Sequence, residues 1–101
     1  MIILGQAPRE TNFGIFGTSI GATWLYGELG SRVKFFVDED NSRVNKKYMN
    51  CPVYFPKDTP KDGIIIMPFL PEIANKIKNR LNKQDVNLNI VIPAGLSDKY
   101  K

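Results

Sequence analysis

Apolar residues fall in short clusters along this chain, and the spacing within each cluster separates strands from helices. Phe13 to Phe16 is a brief apolar run ending at Gly17, which predicts a core strand. Ile20, Trp24, Leu25 and Leu29 then recur at a helical period. Ser19 stands where a side-chain oxygen caps a helix start, and Gly30 stands where a helix stops. A helix over 19–30 follows. Val33 to Val37 is β-branched and aromatic and predicts a second strand, ending at Asp38. The segment from Asp38 to Asn50 is polar and charged and reads as a loop. Pro52 to Phe55 predicts a short third strand, and Lys57 to Asp62 a surface turn containing Pro60.

Ile64 to Met67 is apolar at every position, as in a parallel strand covered on both faces, and Pro68 ends it. Leu70, Ile73, Ala74, Ile77 and Leu81 predict the core face of a helix over 70–82, with Pro71 in its first turn. Lys76, Lys78, Arg80 and Lys83 occupy its solvated side. Leu88 to Ile92 is the last strand, stopped by Pro93. Residues 1–11, which open Met1-Ile2-Ile3-Leu4, read as a lead-in or an extra strand. Strands alternate with helices at both ends of this order, which predicts an α/β domain spanning 1–101 with an open, mostly parallel sheet of four to five strands flanked by helices.

The totals narrow the function. A chain of 101 residues holds one core but not a cofactor domain and a separate substrate domain. No apolar stretch approaches the ~20 residues of a membrane span, and the amino terminus lacks a signal-peptide profile, so the expected location is cytoplasmic with no membrane partner. The formal charge of +4 suits an anionic ligand, but the basic residues are scattered rather than striped, so nucleic acid is not the expected partner. The lone Cys51 has no intrachain partner and reads as a small semi-buried side chain. With no histidine, the chain itself cannot supply Ser–His or Cys–His catalysis or a histidine-bearing zinc site. Gly17-Thr18-Ser19-Ile20-Gly21 spells a hydrolase nucleophile elbow, but no histidine can activate its serine. No catalytic residue and no metal ligand is assigned.

The same turn carries a different chemistry. Gly17-Thr18-Ser19-Ile20-Gly21-Ala22 is a degenerate G-x-G-x-x-G/A fingerprint between a predicted strand and a predicted helix, which makes the fold Rossmann-like. A helix amino terminus presents unpaired N–H groups and about half a positive charge to a phosphate. Asp38 follows Gly17 by 21 residues, the spacing of an acidic residue that accepts hydrogen bonds from a ribose diol. The candidate ligand-binding residues are Gly17, Thr18, Ser19, Ile20, Gly21, Asp38, Glu39 and Phe69, the last placed to stack on a base or sugar or to join the core. The alternative is that the glycines serve helix–sheet packing and Asp38 caps the next loop.

Residues from about Asn12 to Gly95 resemble the C-terminal Rossmann-like domain of sugar C-methyltransferases. The resemblance rests on Phe16-Gly17-Thr18, Phe35-Phe36-Val37-Asp38, Arg43, Cys51-Pro52-Val53-Tyr54, Ile64 to Phe69 and Ile90-Val91-Ile92-Pro93. Gly21 stands where that family has a turn lysine, and Asn45 stands near its expected glycine. The methyl-donor domain and zinc-binding segment that precede this domain in the family are not among these 101 residues, so the family's catalytic residues do not carry over. The resemblance implies a module that binds a nucleotide or nucleotide-sugar, with NAD the lesser candidate. Its expected setting is a sugar-modifying enzyme whose catalytic residues lie on a partner domain or subunit. The alternative is a structural or protein-interaction domain that keeps the fold without a ligand.

Overall fold

Strand pairing brings the scattered apolar runs into one sheet. The computed structural model describes residues 11–18 and 20–92, and the side chain of Ile20 is outside that description. The expectations for residues 1–10, Ser19 and Pro93 to Gly95 lie outside the described residues. The elements run β1 (Phe13–Phe16), α1 (Ile20–Leu29), β2 (Val33–Val37), β3 (Lys47–Tyr48), β4 (Cys51–Tyr54), β5 (Ile64–Ile66), α2 (Pro71–Lys83) and β6 (Asn89–Val91). Short 3-10 turns cover Gly30–Arg32 and Pro56–Asp58.

The six strands lie in the order β3-β4-β2-β1-β5-β6. Among the described residues five of them run parallel, and β3 alone is antiparallel to its neighbour. The chain steps from β1 to β2 on one side and later returns to β5 on the other, so the direction of winding reverses between β1 and β5. In open parallel sheets the crevice outside the strand ends at such a reversal is where ligands lodge.

The expected four to five strands become six because β3 carries no apolar run to announce it. Lys47 pairs with Pro52 and Tyr48 with Cys51, which leaves Met49 and Asn50 as a two-residue hairpin loop. Both loop residues have positive φ, 51° and 61°, as a type I′ turn requires. Asparagine tolerates that conformation; methionine in the other position hides the signal. Tyr48 then packs edge-on against Phe36 with ring centroids 4.9 Å apart, and its hydroxyl hydrogen-bonds Thr23 of α1 at 2.5 Å. A strand of two residues is thereby anchored to both the sheet and a helix. The third strand also starts and ends one residue early, and the last is shorter by one residue at each end, within the usual uncertainty of element ends.

Each face of the sheet has its own core. On one face Phe13, Ile15, Val33, Phe36, Val53 and Ile66 pack with Ala22 and Leu25 of α1. Trp24 is half-buried and packs against this core, and Tyr26 stacks on Phe36. On the other face Phe16, Phe35, Val37, Ile65 and Met67 pack with Ala74 and Leu81 of α2. Leu70 and Ile73, expected in the core, are instead 44% and 48% exposed. Leu70 precedes the helix as its cap residue, and the inward face of α2 passes through Ala74, Ile77 and Leu81.

The Phe35 ring determines the glycines beside it. A Cβ on Gly14 would sit 2.1 Å from Phe35 Cε2, and one on Gly63 would sit 2.7 Å from Phe35 Cζ. Phe35 is 1% exposed, so its ring has no free space into which to retreat. Gly14→Ala is therefore expected to destabilise the fold by about 1–3 kcal/mol through overpacking. Gly27 lies in α1 with nothing within 4 Å of an added Cβ. There the same change is expected to stabilise by about 0.5–1 kcal/mol, because a helical glycine gives up more chain entropy than alanine. Urea unfolding of the two variants should show shifts of opposite sign; equal shifts would mean that the ring yields.

Candidate functional site

The cleft at the β1–β5 reversal is built by the turns that leave β1, β2 and β5. It encloses about 370 Å³, and its lining includes Gly17, Thr18, Asp38, Glu39, Arg43 and Phe69. Gly17 leaves β1 with φ +89°, a left-handed conformation that side chains rarely adopt. Its N–H donates to the carbonyl of Val37, which ties the end of β1 to the end of β2. Phe69 is half-buried: its ring meets Phe16 edge-on, centroids 6.4 Å apart, and forms a wall of the cleft.

Asp38 stands at the centre of a polar chain. Thr18, only 9% exposed, donates from Oγ1 to Asp38 Oδ2 at 2.9 Å. Asp38 Oδ1 accepts the backbone N–H of Asp40 at 2.9 Å. Arg43 Nη1 donates in turn to Thr18 Oγ1. A second turn follows in series, because Asp40 Oδ1 accepts both the N–H and the hydroxyl of Ser42. These bonds hold the Asp40 carboxyl below its ordinary pKa, the Ser42 hydroxyl first, with the charges of Arg43 and Lys46 adding to the effect. Arg43 Nε lies 3.7 Å from Asp40 Oδ2, a loose and exposed pairing.

Of the sequence-predicted residues, Gly17, Thr18, Asp38 and Phe69 come together around the cleft. Ile20 and Gly21 open α1, and Gly21 is half-buried. Glu39 also lines the cleft, but its carboxylate is held in a two-pronged pair by Arg80 of α2, at 2.6 and 2.7 Å. Arg43, which touches Thr18, entered the sequence reading only through the family resemblance and not as a site residue, and Ser42 and Asp40, which hold its loop, were missed. The spacing Asp38-x-Asp40-x-Ser42 carries the signal, since an aspartate that accepts from the residue two places on makes an Asx turn.

Beyond Arg43 lies a smaller pocket of about 250 Å³, with Thr18, Ser42, Arg43, Lys46, Lys47 and Tyr48 on its walls. Another cavity, of about 390 Å³, opens at the opposite end of the sheet near Pro60, Gly63 and Asn87. It lies away from the winding reversal and from the polar chain. Cys51 is buried and its thiol points to the Val33 carbonyl; desolvation pushes its pKa up, so it is not an activated nucleophile. Among the described residues no cluster of His, Cys, Asp and Glu could hold a metal ion, and no helix is long and apolar enough to cross a membrane.

No protein-family model matches the chain, and neither the curated proteins nor the solved structures contain a match to it. The resemblance to sugar C-methyltransferases therefore stands on the sequence motifs alone.

The Glu39–Arg80 pair ties the cleft to α2 and gives the fold an acid-sensitive contact. The Arg80 hydrogen bonds, followed by its charge, outweigh partial burial and hold the Glu39 pKa below its ordinary value. A carboxylate whose folded pKa is lowered stabilises fully above its unfolded value, ~4.3, and loses that contribution as pH falls through the folded one. Both partners are more than a third exposed, so solvent screening limits the pair to under ~1 kcal/mol. Arg80→Gln should raise the titration midpoint of the Glu39 carboxyl, read by ¹³C NMR, and flatten the loss of stability below pH ~4.3. An unmoved midpoint would show that the pair does not persist in solution.

Proposed function

We propose that the chain is a binding module for a nucleotide or nucleotide-sugar, of Rossmann-like type, serving a sugar-modifying enzyme whose catalytic residues lie elsewhere. The observation that carries this reading is the convergence of Gly17, Asp38 and Phe69 on one cleft at the winding reversal of a parallel sheet. A carboxylate has about four acceptor positions. Thr18 and the Asp40 N–H use two of those on Asp38, and the others can take a ribose or sugar diol. Phe69 offers an apolar wall for a base or sugar face. The turn at Gly17-Thr18 brings backbone close to the ligand where the cleft meets Arg43. The resemblance to the C-terminal domain of sugar C-methyltransferases points to the same ligand class.

A second reading has its own support. Asp38, Glu39 and Asp40 all have partners within the chain. A domain that used these residues only to hold its loops would be a structural or interaction domain without a ligand.

Amide titrations of the full chain with UDP-, dTDP- and GDP-sugars, beside NAD, separate the two. Binding should move the signals of Gly17 to Ala22 and of Asp38. Hydrogen bonds to a charged group are worth ~1.5–3 kcal/mol, so Asp38→Asn should weaken a ribose ligand roughly ten- to a hundredfold. If no ligand moves those amides at millimolar concentration, the second reading takes its place; if Asp38→Asn lowers stability without changing affinity, Asp38 only holds its loop and has no ribose role.

A further inference from the structure

The two pockets on either side of Arg43 have opposite electrical character. The larger is walled by Asp38, Glu39 and Asp40; Arg80 pairs with Glu39, which leaves two carboxylates against the one guanidinium of Arg43. Such a wall suits hydroxyl donors and repels phosphate oxygens. The smaller pocket brings Arg43, Lys46 and Lys47 together with the hydroxyl-bearing Thr18, Ser42 and Tyr48, and its described lining includes no carboxylate. At about 250 Å³ it falls below the ~300–1,000 Å³ of pockets that take a whole small molecule. It is the size for one charged group of a larger ligand.

The loop that carries these cations is fixed in place. Asn45 has φ 66°, its N–H donates to the Val53 carbonyl, and the Val53 N–H donates to the Lys46 carbonyl. Lys47 lies in β3, which Tyr48 pins to Phe36 and Thr23. The two lysines therefore leave a braced backbone rather than a free loop.

We infer that the pocket of Arg43, Lys46 and Lys47 is a phosphate subsite, so that the ligand lays its hydroxyl-bearing part in the acidic cleft and its phosphate across Arg43 into the basic pocket. This deepens the nucleotide reading and rests on it. It assigns the ligand class as phosphorylated nucleosides or sugars, in which phosphate and diol are separated by the width of the Arg43–Thr18 divide. The bare nucleoside should bind much more weakly than its diphosphate.

The test uses the full chain, with inorganic pyrophosphate, uridine, guanosine, UDP and GDP as probes, and a Lys46→Gln/Lys47→Gln variant. Both lysines are exposed, and thermal melts check that the variant is folded. Pyrophosphate should move the amides of residues 43–48. UDP or GDP should bind the variant about tenfold more weakly, as expected when charge-assisted hydrogen bonds are lost, while the nucleosides bind both proteins alike. Added salt should shrink the difference. If nucleotides move Gly17 and Asp38 but bind the variant unchanged, and pyrophosphate leaves 43–48 unmoved, the subsite is wrong and the nucleotide reading survives. If pyrophosphate moves 43–48 and is weakened in the variant while no nucleotide reaches Gly17 and Asp38, the subsite stands and the nucleotide reading fails. Silence from every probe overturns both.

Discussion

The hydrogen bond from Thr18 to Asp38 joins the turn after β1 to the end of β2, and the site depends on that joint. Without it, Gly17 would still turn, but Thr18 would not be held between a carboxylate and a guanidinium. Asp38 uses its second oxygen to start the Asp40 turn, and that turn delivers Arg43 back to Thr18. One side chain thus positions two strand ends and the following loop. Buried or half-buried polar chains of this kind hold a unique arrangement only when every member is satisfied.

The sheet beneath explains why the joint is firm. Phe35 and Phe36 point to opposite faces of β2, one against Gly14 and Gly63, the other against Tyr26 and Tyr48. Burying a phenylalanine contributes roughly 1.5–3 kcal/mol, so these two residues anchor the strand whose end is Asp38. The path from β2 to β4 has no helix. The Tyr48 hairpin packs against the α1 side of the sheet, and in doing so brings Lys46 and Lys47 to the rim of the small pocket. Packing and ligand chemistry therefore meet in the same loop.

Much of this architecture is legible in the residues. Val33–Val37 begins and ends at the expected positions, bounded by Arg32 and Asp38, because β-branched and aromatic residues fill four of its five places. Pro71 starts α2 as a proline at the first helical position should. What escapes is what local pattern does not encode. β3 is two residues long, and its turn places a methionine where asparagine or glycine would have announced it. Leu70 and Ile73 share the helical period of Ala74 and Leu81, but Leu70 lies ahead of the first turn and the arc that meets the sheet runs through Ala74, Ile77 and Leu81. In the site, Gly17 and Asp38 are found by motif spacing. Arg80, 41 residues from Glu39, is found only when α2 folds back along the sheet.

The acidic cleft beside Phe69 is proposed to hold the sugar of a phosphorylated ligand. Isotope-filtered NOE spectroscopy tests it most directly, with labelled protein and an unlabelled nucleoside diphosphate-sugar. Contacts are expected from the ribose or sugar protons to the Phe69 ring and to the Gly17 α-protons. Contacts confined to residues near Pro60, Gly63 and Asn87, at the other end of the sheet, would contradict it.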